Sequence, residues 1–138
     1  MILLTGATGR VGKAAATELL SKGVPFRAFV RDANKFEHAG DGVEVAVGDF
    51  TDLDSVARAL QGVTRALIVM GNHPEQAELE QRFATVAAEA GVAHLVKVSS
   101  MEAAPDATAA LPKNHFETEQ TIAELDLDWT FLRPNYYM

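Results

Sequence analysis

Residues 5–12 read Thr5-Gly6-Ala7-Thr8-Gly9-Arg10-Val11-Gly12, a glycine-rich turn with the spacing G-x-x-G-x-x-G. An apolar run at residues 2–5 leads into this turn, and residues 10–22 follow it with apolar side chains four positions apart. The first pattern is typical of a buried strand and the second of an amphipathic helix. A glycine motif alone is weak evidence, but one placed between a strand and a helix predicts a ligand-binding turn.

Beyond the turn, strand-like apolar runs continue to alternate with stretches of helical period. Further strands are predicted at residues 26–30, 43–47, 65–70, 94–99 and 129–132, and helices at residues 34–38, between Asp52 and Gly62, between Pro74 and Gly91, and at residues 113–125. This alternation predicts an α/β fold with a doubly wound, mostly parallel sheet and helices on both faces, the Rossmann fold. In the third strand valines alternate with Glu44 and Ala46, which suits an edge position in the strand order 3-2-1-4-5-6. Because we find no linker or internal repeat, residues 1–138 are predicted to form one domain.

The composition argues against several classes of function. The 138 residues carry a net charge of −7, which is unsuited to a broad nucleic-acid-binding surface. The longest apolar run, residues 66–70, is far shorter than the ~18 residues of a membrane span. There is no cysteine for a disulfide or a thiolate metal site, and His38, His73 and His94 lack metal-ligand spacing with carboxylates. We therefore expect a cytoplasmic protein without a metal, membrane or nucleic-acid partner.

The glycine turn is suited to binding a diphosphate. Backbone N–H groups and the positive end of a helix dipole attract the anion, and glycine allows the chain to come close to it. We expect Gly6 to make the tight turn, Gly9 to allow the close approach and Gly12 to allow contact between helix and strand. The remaining site residues of the turn are Thr8, Arg10 and Val11. With a strand before it and a helix after it, the turn predicts a nicotinamide dinucleotide site.

The residues after the second strand bear on which dinucleotide is bound. Arg31 and Asp32 are both present there, and a guanidinium pairs with the 2′-phosphate of NADP whereas a carboxylate prefers the 2′-hydroxyl of NAD. Arg31 directly follows the apolar strand, and Arg10 offers a second cation, so NADP is favoured over NAD. A solvated surface position is the alternative for Arg31. Asp32 is better interpreted as the N-cap of the short helix after it.

The ends of the third and fourth strands are expected to border the same crevice. Asp49 is a candidate acceptor for the adenine amino group, with Phe50 beside the ring, although a turn aspartate is an equally good interpretation. Met70, Gly71 and Asn72 follow the fourth strand and are expected to border the ribose.

Six motifs along the chain together resemble one family. They are the turn at residues 5–12, Val30-Arg31-Asp32, Gly48-Asp49-Phe50, Val98-Ser99-Ser100, His115-Phe116-Glu117-Thr118-Glu119 and Trp129-Thr130-Phe131-Leu132-Arg133-Pro134. On these motifs the chain resembles the NmrA-like atypical short-chain dehydrogenase/reductases, which include NAD(P)H:quinone oxidoreductase-like reductases and redox-sensing regulators. The resemblance implies a Rossmann fold, a nicotinamide cofactor and, for the reductases, hydride transfer from NADPH to a quinone or small carbonyl acceptor.

The usual catalytic motif of short-chain dehydrogenases, Tyr-x-x-x-Lys, is not found. The corresponding stretch reads Leu111-Pro112-Lys113-Asn114-His115, with leucine at the tyrosine position and histidine at the lysine position. His115 is therefore the best remaining proton donor or ribose contact, and a surface histidine is the alternative. Ser99 and Ser100 lie near the family's hydroxyl position or serve a turn. Lys113 either contacts cofactor hydroxyls or is solvated.

Three hypotheses about function remain open. Proteins resembling this one continue past Arg133-Pro134 into a substrate-binding part, so we expect residues 1–138 to form the cofactor-binding part alone. The chain is then a reductase domain, a non-catalytic NADP-binding redox sensor, or an inactive fragment of a larger reductase. A surface left uncovered by the absent part makes self-association an expectation.

The remaining charged and aromatic side chains are given structural roles. Glu117 and Glu119 are expected on a solvated helix face, and Phe83, Phe116, Trp129 and Phe131 in the core.

Overall fold

The computed structural model describes residues 1–38, 40–71 and 73–135, which alternate between strands and helices. The strands are β1 (Ile2–Leu4), β2 (Phe26–Val30), β3 (Val43–Val47), β4 (Arg65–Ile68), β5 (His94–Val98) and β6 (Asp128–Leu132). The helices are α1 (Arg10–Ser21), α2 (Leu53–Ala59), α3 (Gln76–Glu89) and α4 (Ala110–Ala123), with a short 3-10 helix at Ala33–Lys35.

The six strands form one parallel sheet in the order β3-β2-β1-β4-β5-β6. The predicted fold class and strand order are therefore confirmed. β1 lies in the middle, where Leu3 pairs with Arg27 of β2 on one side and Ala66 of β4 on the other. The chain reverses its direction of travel across the sheet at β1, and the crevice at such a switch point is where doubly wound folds bind ligands.

Helices cover both faces of the sheet, and each face has its own apolar cluster. Leu4 and Phe26 pack with Ala16 of α1 on one face. Leu3 packs on the other face with residues of three helices, including Val56 of α2, Phe83 of α3 and Ile122 of α4. Since Leu3 and Leu4 are consecutive, their burial on opposite faces follows from the alternation of side chains along a strand. Among the helices that the structure describes, none is long and apolar enough to cross a membrane.

Two predicted N-caps begin helices, and two predicted glycines follow the ends of helices. Asp52 caps α2 by accepting from the N–H groups of Asp54 and Ser55. The carboxylate of Asp32 accepts from Asn34 N at 3.0 Å, which confirms its interpretation as an N-cap. Gly62 and Gly91 follow α2 and α3 with φ of +75° and +86°, the left-handed backbone region that favours glycine.

Several predicted boundaries differ from the observed ones. The helix predicted at residues 34–38 is a single 3-10 turn, and α3 begins at Gln76 rather than Pro74, after a turn in which Gln76 N donates to His73 O. α4 begins at Ala110 rather than at residue 113. Pro112 lies in its first turn, where the missing N–H costs no hydrogen bond.

Two predictions about burial are wrong. Trp129 is 45% exposed because β6 is an edge strand, although its ring still stacks on Phe131 at 4.3 Å between centroids. Glu119 is buried rather than solvated, since α4 turns it toward Arg133, whose Nε donates to Glu119 Oε1 at 2.9 Å. Helical periodicity alone does not reveal a buried carboxylate whose partner lies on another element.

We predict that Phe83→Ala destabilises the domain by about 3–5 kcal/mol, the usual cost of removing a fully buried phenylalanine. Phe83 contacts the rings of Phe29 and Phe50, so the cavity would open in the centre of the core. Trp129→Ala, which removes a larger but half-exposed ring, is expected to cost about 1 kcal/mol. Urea unfolding followed by circular dichroism measures both, and equal losses would contradict this assignment of the core.

Candidate functional site

The glycine turn is held in a conformation that side chains would obstruct. Gly6 has φ of +62°, and a Cβ built on it would lie 2.4 Å from the Val69 carbonyl oxygen. A Cβ on Gly12 would lie 1.9 Å from the carbonyl oxygen of Gly6. The predicted tight turn at Gly6 is therefore observed. Gly12 allows α1 to press against the backbone of the turn itself rather than against the strand.

Gly9 is different because it has room toward the protein. A Cβ on Gly9 would have only the Gly6 carbonyl oxygen within 4 Å, at 3.4 Å, and Gly9 lines an open cavity. It is also the N-cap of α1, and the first turn of that helix, fully described here, has no acidic side chain. This helix end presents the positive end of its dipole and backbone N–H groups, which suits an anion.

Thr5 fastens the turn to the neighbouring strand. Its buried Oγ1 donates to Leu67 O at 2.9 Å and accepts from Val69 N, also at 2.9 Å. These bonds join the carboxyl ends of β1 and β4, the two edges of the switch point. No role for Thr5 was predicted from the sequence, although a polar residue that ends a buried strand is a signal for one.

Two cavities on the described surface meet at the turn. The smaller, about 350 Å³, extends toward the ends of β2 and β3, and the larger, about 730 Å³, toward the end of β5 and the start of α4. The residues shared by both are Gly6, Thr8, Arg31, Val69, Met70 and Gly71. The cavities are therefore two arms of one crevice along the carboxyl ends of the strands, and their volumes are those of ligand pockets.

Asp49 and Phe50 line the smaller arm but also have structural roles. Asp49 Oδ1 accepts from Thr51 N at 2.9 Å and from Thr51 Oγ1 at 2.8 Å. The bond from the Thr51 backbone, followed by the one from its hydroxyl, lowers the pKa of the Asp49 carboxyl. Phe50 packs with Phe29 and Phe83 at centroid distances of 5.9 and 5.1 Å. The hydrogen bonds of Asp49 are those of a turn aspartate. Because Asp49 also lines the smaller arm, a contact with the adenine amino group stays a prediction.

Arg31 lies where the two arms meet. Its side chain is exposed and lines both cavities, and it contributes to the lowered pKa of Asp49. Arg10 and Val11 line the larger arm only.

Ser99 is a buried hydroxyl in the wall of the larger arm. It is 4% exposed, and its Oγ has no hydrogen-bond partner within residues 1–38, 40–71 and 73–135. A buried hydroxyl without a partner is costly, so an orphan group beside a cavity suggests a ligand that would complete it. Ser100 differs, because its Oγ accepts from Glu102 N at 3.3 Å and so serves a turn.

His115 lines the larger arm and is buried, not a surface residue. It lies in the second turn of α4 because that helix starts earlier than predicted. Its Nδ1 is 3.1 Å from Nζ of Lys97, a fully buried lysine on β5 that pairs with Glu80 on α3. Burial and then the charge of Lys97 lower the pKa of His115 to about 4.

Neither Lys97 nor Glu80 was predicted from the sequence to be a site residue. A lysine within the apolar strand run His94–Val98 was a usable signal, since buried lysines need a partner.

Lys113, the lysine predicted to contact the cofactor, is exposed and lines neither cavity. Asn72 lies outside the described residues. In the part of the chain that the structure describes, no group of three or more histidine, aspartate or glutamate residues is arranged to hold a metal ion.

The fold and this crevice define a dinucleotide-binding protein of the Rossmann class. The sequence model of a family described as NAD(P)H-binding matches residues 6–138. The chain therefore belongs to the NAD(P)H-binding family, and the predicted nicotinamide dinucleotide site is confirmed at the level of the domain.

Relatives with reductase names match nearly the whole chain. A (4-alkanoyl-5-oxo-2,5-dihydrofuran-3-yl)methyl phosphate reductase of Streptomyces griseus subsp. griseus is 40% identical over 100% of this chain and 48% of its own length. An NADPH-dependent quinone oxidoreductase of Escherichia coli, solved with NADPH, has a TM-score of 0.87 and 32% identity over 99% of this chain and 50% of its own.

The triphenylmethane reductase of a Citrobacter species, solved with NADP(H), has a TM-score of 0.87 and 31% identity over 99% of this chain and 50% of its own. The chain thus spans about half the length of the proteins it matches. The expected resemblance to quinone oxidoreductase-like reductases is confirmed.

We predict that Gly12→Ala and Gly9→Ala separate folding from cofactor binding. Gly12→Ala forces the first helix away from the turn and should lower Tm markedly and abolish NADPH binding. Gly9→Ala should change Tm little and still abolish binding, because its methyl would occupy the space needed for a diphosphate.

Differential scanning fluorimetry gives Tm, and fluorescence titration gives the Kd for NADPH. Gly40→Ala, whose Cβ would meet only Leu20 Cδ2 at 3.5 Å and which lines neither arm, controls for the general effect of replacing a glycine. Unimpaired NADPH binding by Gly9→Ala would contradict the diphosphate position.

Proposed function

We propose that this chain binds NADP(H) as the cofactor domain of a reductase that transfers hydride to a quinone or small carbonyl acceptor. The observation that carries the proposal is the orphan hydroxyl of Ser99, which lies with His115 in the arm of the crevice that continues from the glycine turn. A bound nicotinamide would supply the hydride. The residues of the chain bind and orient the reactants.

The preference for NADP over NAD rests on Arg31. It follows β2 directly, lines both arms of the crevice, and has a guanidinium that forms paired hydrogen bonds with a phosphate. Asp32, the residue that would oppose a 2′-phosphate, is occupied as a helix cap. Arg10, at the start of α1, contributes a second positive charge to the same wall.

The two arms suggest how the dinucleotide is oriented. The smaller arm, with Phe50 and the carboxylate of Asp49, suits the adenine, and the helix end at Gly9 suits the diphosphate. The nicotinamide and its ribose then extend into the larger arm toward Ser99 and His115. Met70 and Gly71 border the path between the arms.

The acceptor class is inferred from chemistry and from the relatives. The larger arm has space for a second small molecule beside the nicotinamide. The relatives are named as reductases of a quinone, a triphenylmethane dye and an alkanoyl-furanone phosphate, all conjugated acceptors. Either His115 or solvent supplies the proton that follows the hydride. Residues 1–138 would act as the cofactor part of such a protein in the cytoplasm.

We predict that NADPH raises Tm more than NADH does at equal concentration, since a ligand stabilises the fold according to its affinity. Arg31→Ala should weaken NADPH binding about 10-fold or more, from the loss of a charge-assisted contact, and leave NADH binding nearly unchanged. Arg58→Ala, an exposed arginine on α2, is the matched control. Equal Tm shifts by both cofactors in the unmodified protein would refute the phosphate assignment.

We also predict measurable oxidation of NADPH when the protein is supplied with a panel of quinones, followed by the decrease in NADPH absorbance. Ser99→Ala should reduce the rate without unfolding the domain, because it removes a hydroxyl that has no hydrogen-bond partner among the described residues. Tight NADPH binding without turnover would reject the reductase and favour the redox sensor, which the lack of Tyr-x-x-x-Lys also suggests.

A further inference from the structure

A chain of buried hydrogen bonds joins the two walls of the crevice. Gln76 Nε2 donates to Met70 O at 3.4 Å and to Glu80 Oε1 at 3.1 Å. Lys97 Nζ lies 2.5 Å from Glu80 Oε2 and 3.1 Å from His115 Nδ1. The side chains of Gln76, Glu80, Lys97 and His115 are between 0% and 9% exposed. The two ends of this chain of bonds, Met70 and His115, line the larger arm.

The donors and acceptors of this chain leave one arrangement for His115. A lysine ammonium has three donors and no acceptor, so its neighbour must accept. Lys97 forms a buried ion pair with Glu80, and its remaining donors face the Val98 carbonyl oxygen and His115 Nδ1. Nδ1 of His115 therefore accepts from Lys97, and the ring hydrogen lies on Nε2, the nitrogen left for a ligand in the crevice.

We propose that Lys97, held by Glu80, is a positioning residue that keeps His115 as a neutral imidazole whose Nε2–H donates a hydrogen bond to the acceptor oxygen. This inference rests on the proposed reductase function. The acceptor gains two electrons and one hydrogen as hydride, and negative charge develops on its oxygen. Nε2–H stabilises that charge, and water supplies the proton that completes the reduction, so His115 ends unchanged. The proton that follows the hydride therefore comes from solvent rather than from His115.

The charges around His115 come from every element packed against it. Lys97 on β5 opposes protonation, with Glu80 of α3 behind it. Glu119, one turn further along α4, favours protonation but is itself bound by Arg133 after β6. Burial and Lys97 outweigh Glu119, so the pKa of His115 falls to about 4.

The lowered pKa of His115 makes the stability of the fold depend on pH. The folded protein binds fewer protons at His115 than the unfolded chain does between the folded pKa of about 4 and the ordinary value of 6.5. Its contribution to stability is therefore fully present above pH 6.5 and is lost as the pH falls toward 4.

The test is the tautomer of His115, read from 15N chemical shifts of the cofactor-free full chain between about pH 5.5 and 8. We expect the neutral Nε2–H form throughout. In Lys97→Met/Glu80→Gln, which removes both charges together, we expect a mixture of tautomers and a His115 pKa that moves up toward 6.5. The double variant is used because Lys97→Met alone leaves the Glu80 carboxylate buried without a partner.

Lys22→Met is the matched control, because Lys22 is an exposed lysine that also pairs with a glutamate, Glu18. It should leave the His115 signals unchanged. An Nδ1–H tautomer in the unmodified protein, or no change in the double variant, would overturn the positioning role.

Turnover separates this inference from the proposed function. With NADPH and a quinone, the double variant should lose about tenfold in kcat with little change in KM for NADPH, and its rate should acquire a dependence on a group that titrates between the folded pKa of about 4 and the ordinary histidine value of 6.5. If His115 shows the expected tautomer but no acceptor is reduced, the reductase function is rejected and the assignment of Lys97 stands. A pH profile identical in both proteins would instead reject the role of the neutral donor.

Discussion

The start of α1 lies against the turn that precedes it, so closely that a methyl group on Gly12 would fall within 1.9 Å of the Gly6 carbonyl oxygen. This contact determines where the first N–H groups of the helix lie relative to the end of β1. Thr5 extends the constraint to β4, because its hydroxyl bonds to Leu67 and Val69. The crevice and its two arms depend on this packing of backbone against backbone.

The other end of the crevice is organised by buried charges rather than by glycine. Lys97 with Glu80, and Arg133 with Glu119, tie β5 and the end of β6 to α3 and α4. Lys97 and Glu80 are both buried, so desolvation offsets much of their attraction and removing one partner is costly, whereas Arg133 is half exposed. Their clearest consequence is positional. One pair orients His115 toward the cavity, and the other holds the segment after β6, where Pro134 lines the same cavity.

These features explain how a short-chain dehydrogenase-like crevice can be arranged without the usual tyrosine and lysine. The tyrosine position is taken by Leu111, which lines the cavity, and the lysine position by His115, which contacts the buried Lys97 of β5. Lys97 contacts His115, and the imidazole of His115 and the hydroxyl-bearing Ser99 both line the larger arm of the crevice.

By itself the amino-acid sequence determined the fold class, the strand order and the dinucleotide turn, because these depend on local periodicity and on positions that only glycine can occupy. Caps such as Asp32 and Asp52 were equally readable, since each bonds within three residues of itself. Only the tertiary structure decided that Glu119 is buried, that Trp129 is exposed, and that Lys97 lies against His115. Each of these depends on contacts between residues far apart in sequence. A period of two or 3.6 residues shows which side chains share a face of a strand or helix, but not which other element packs against that face.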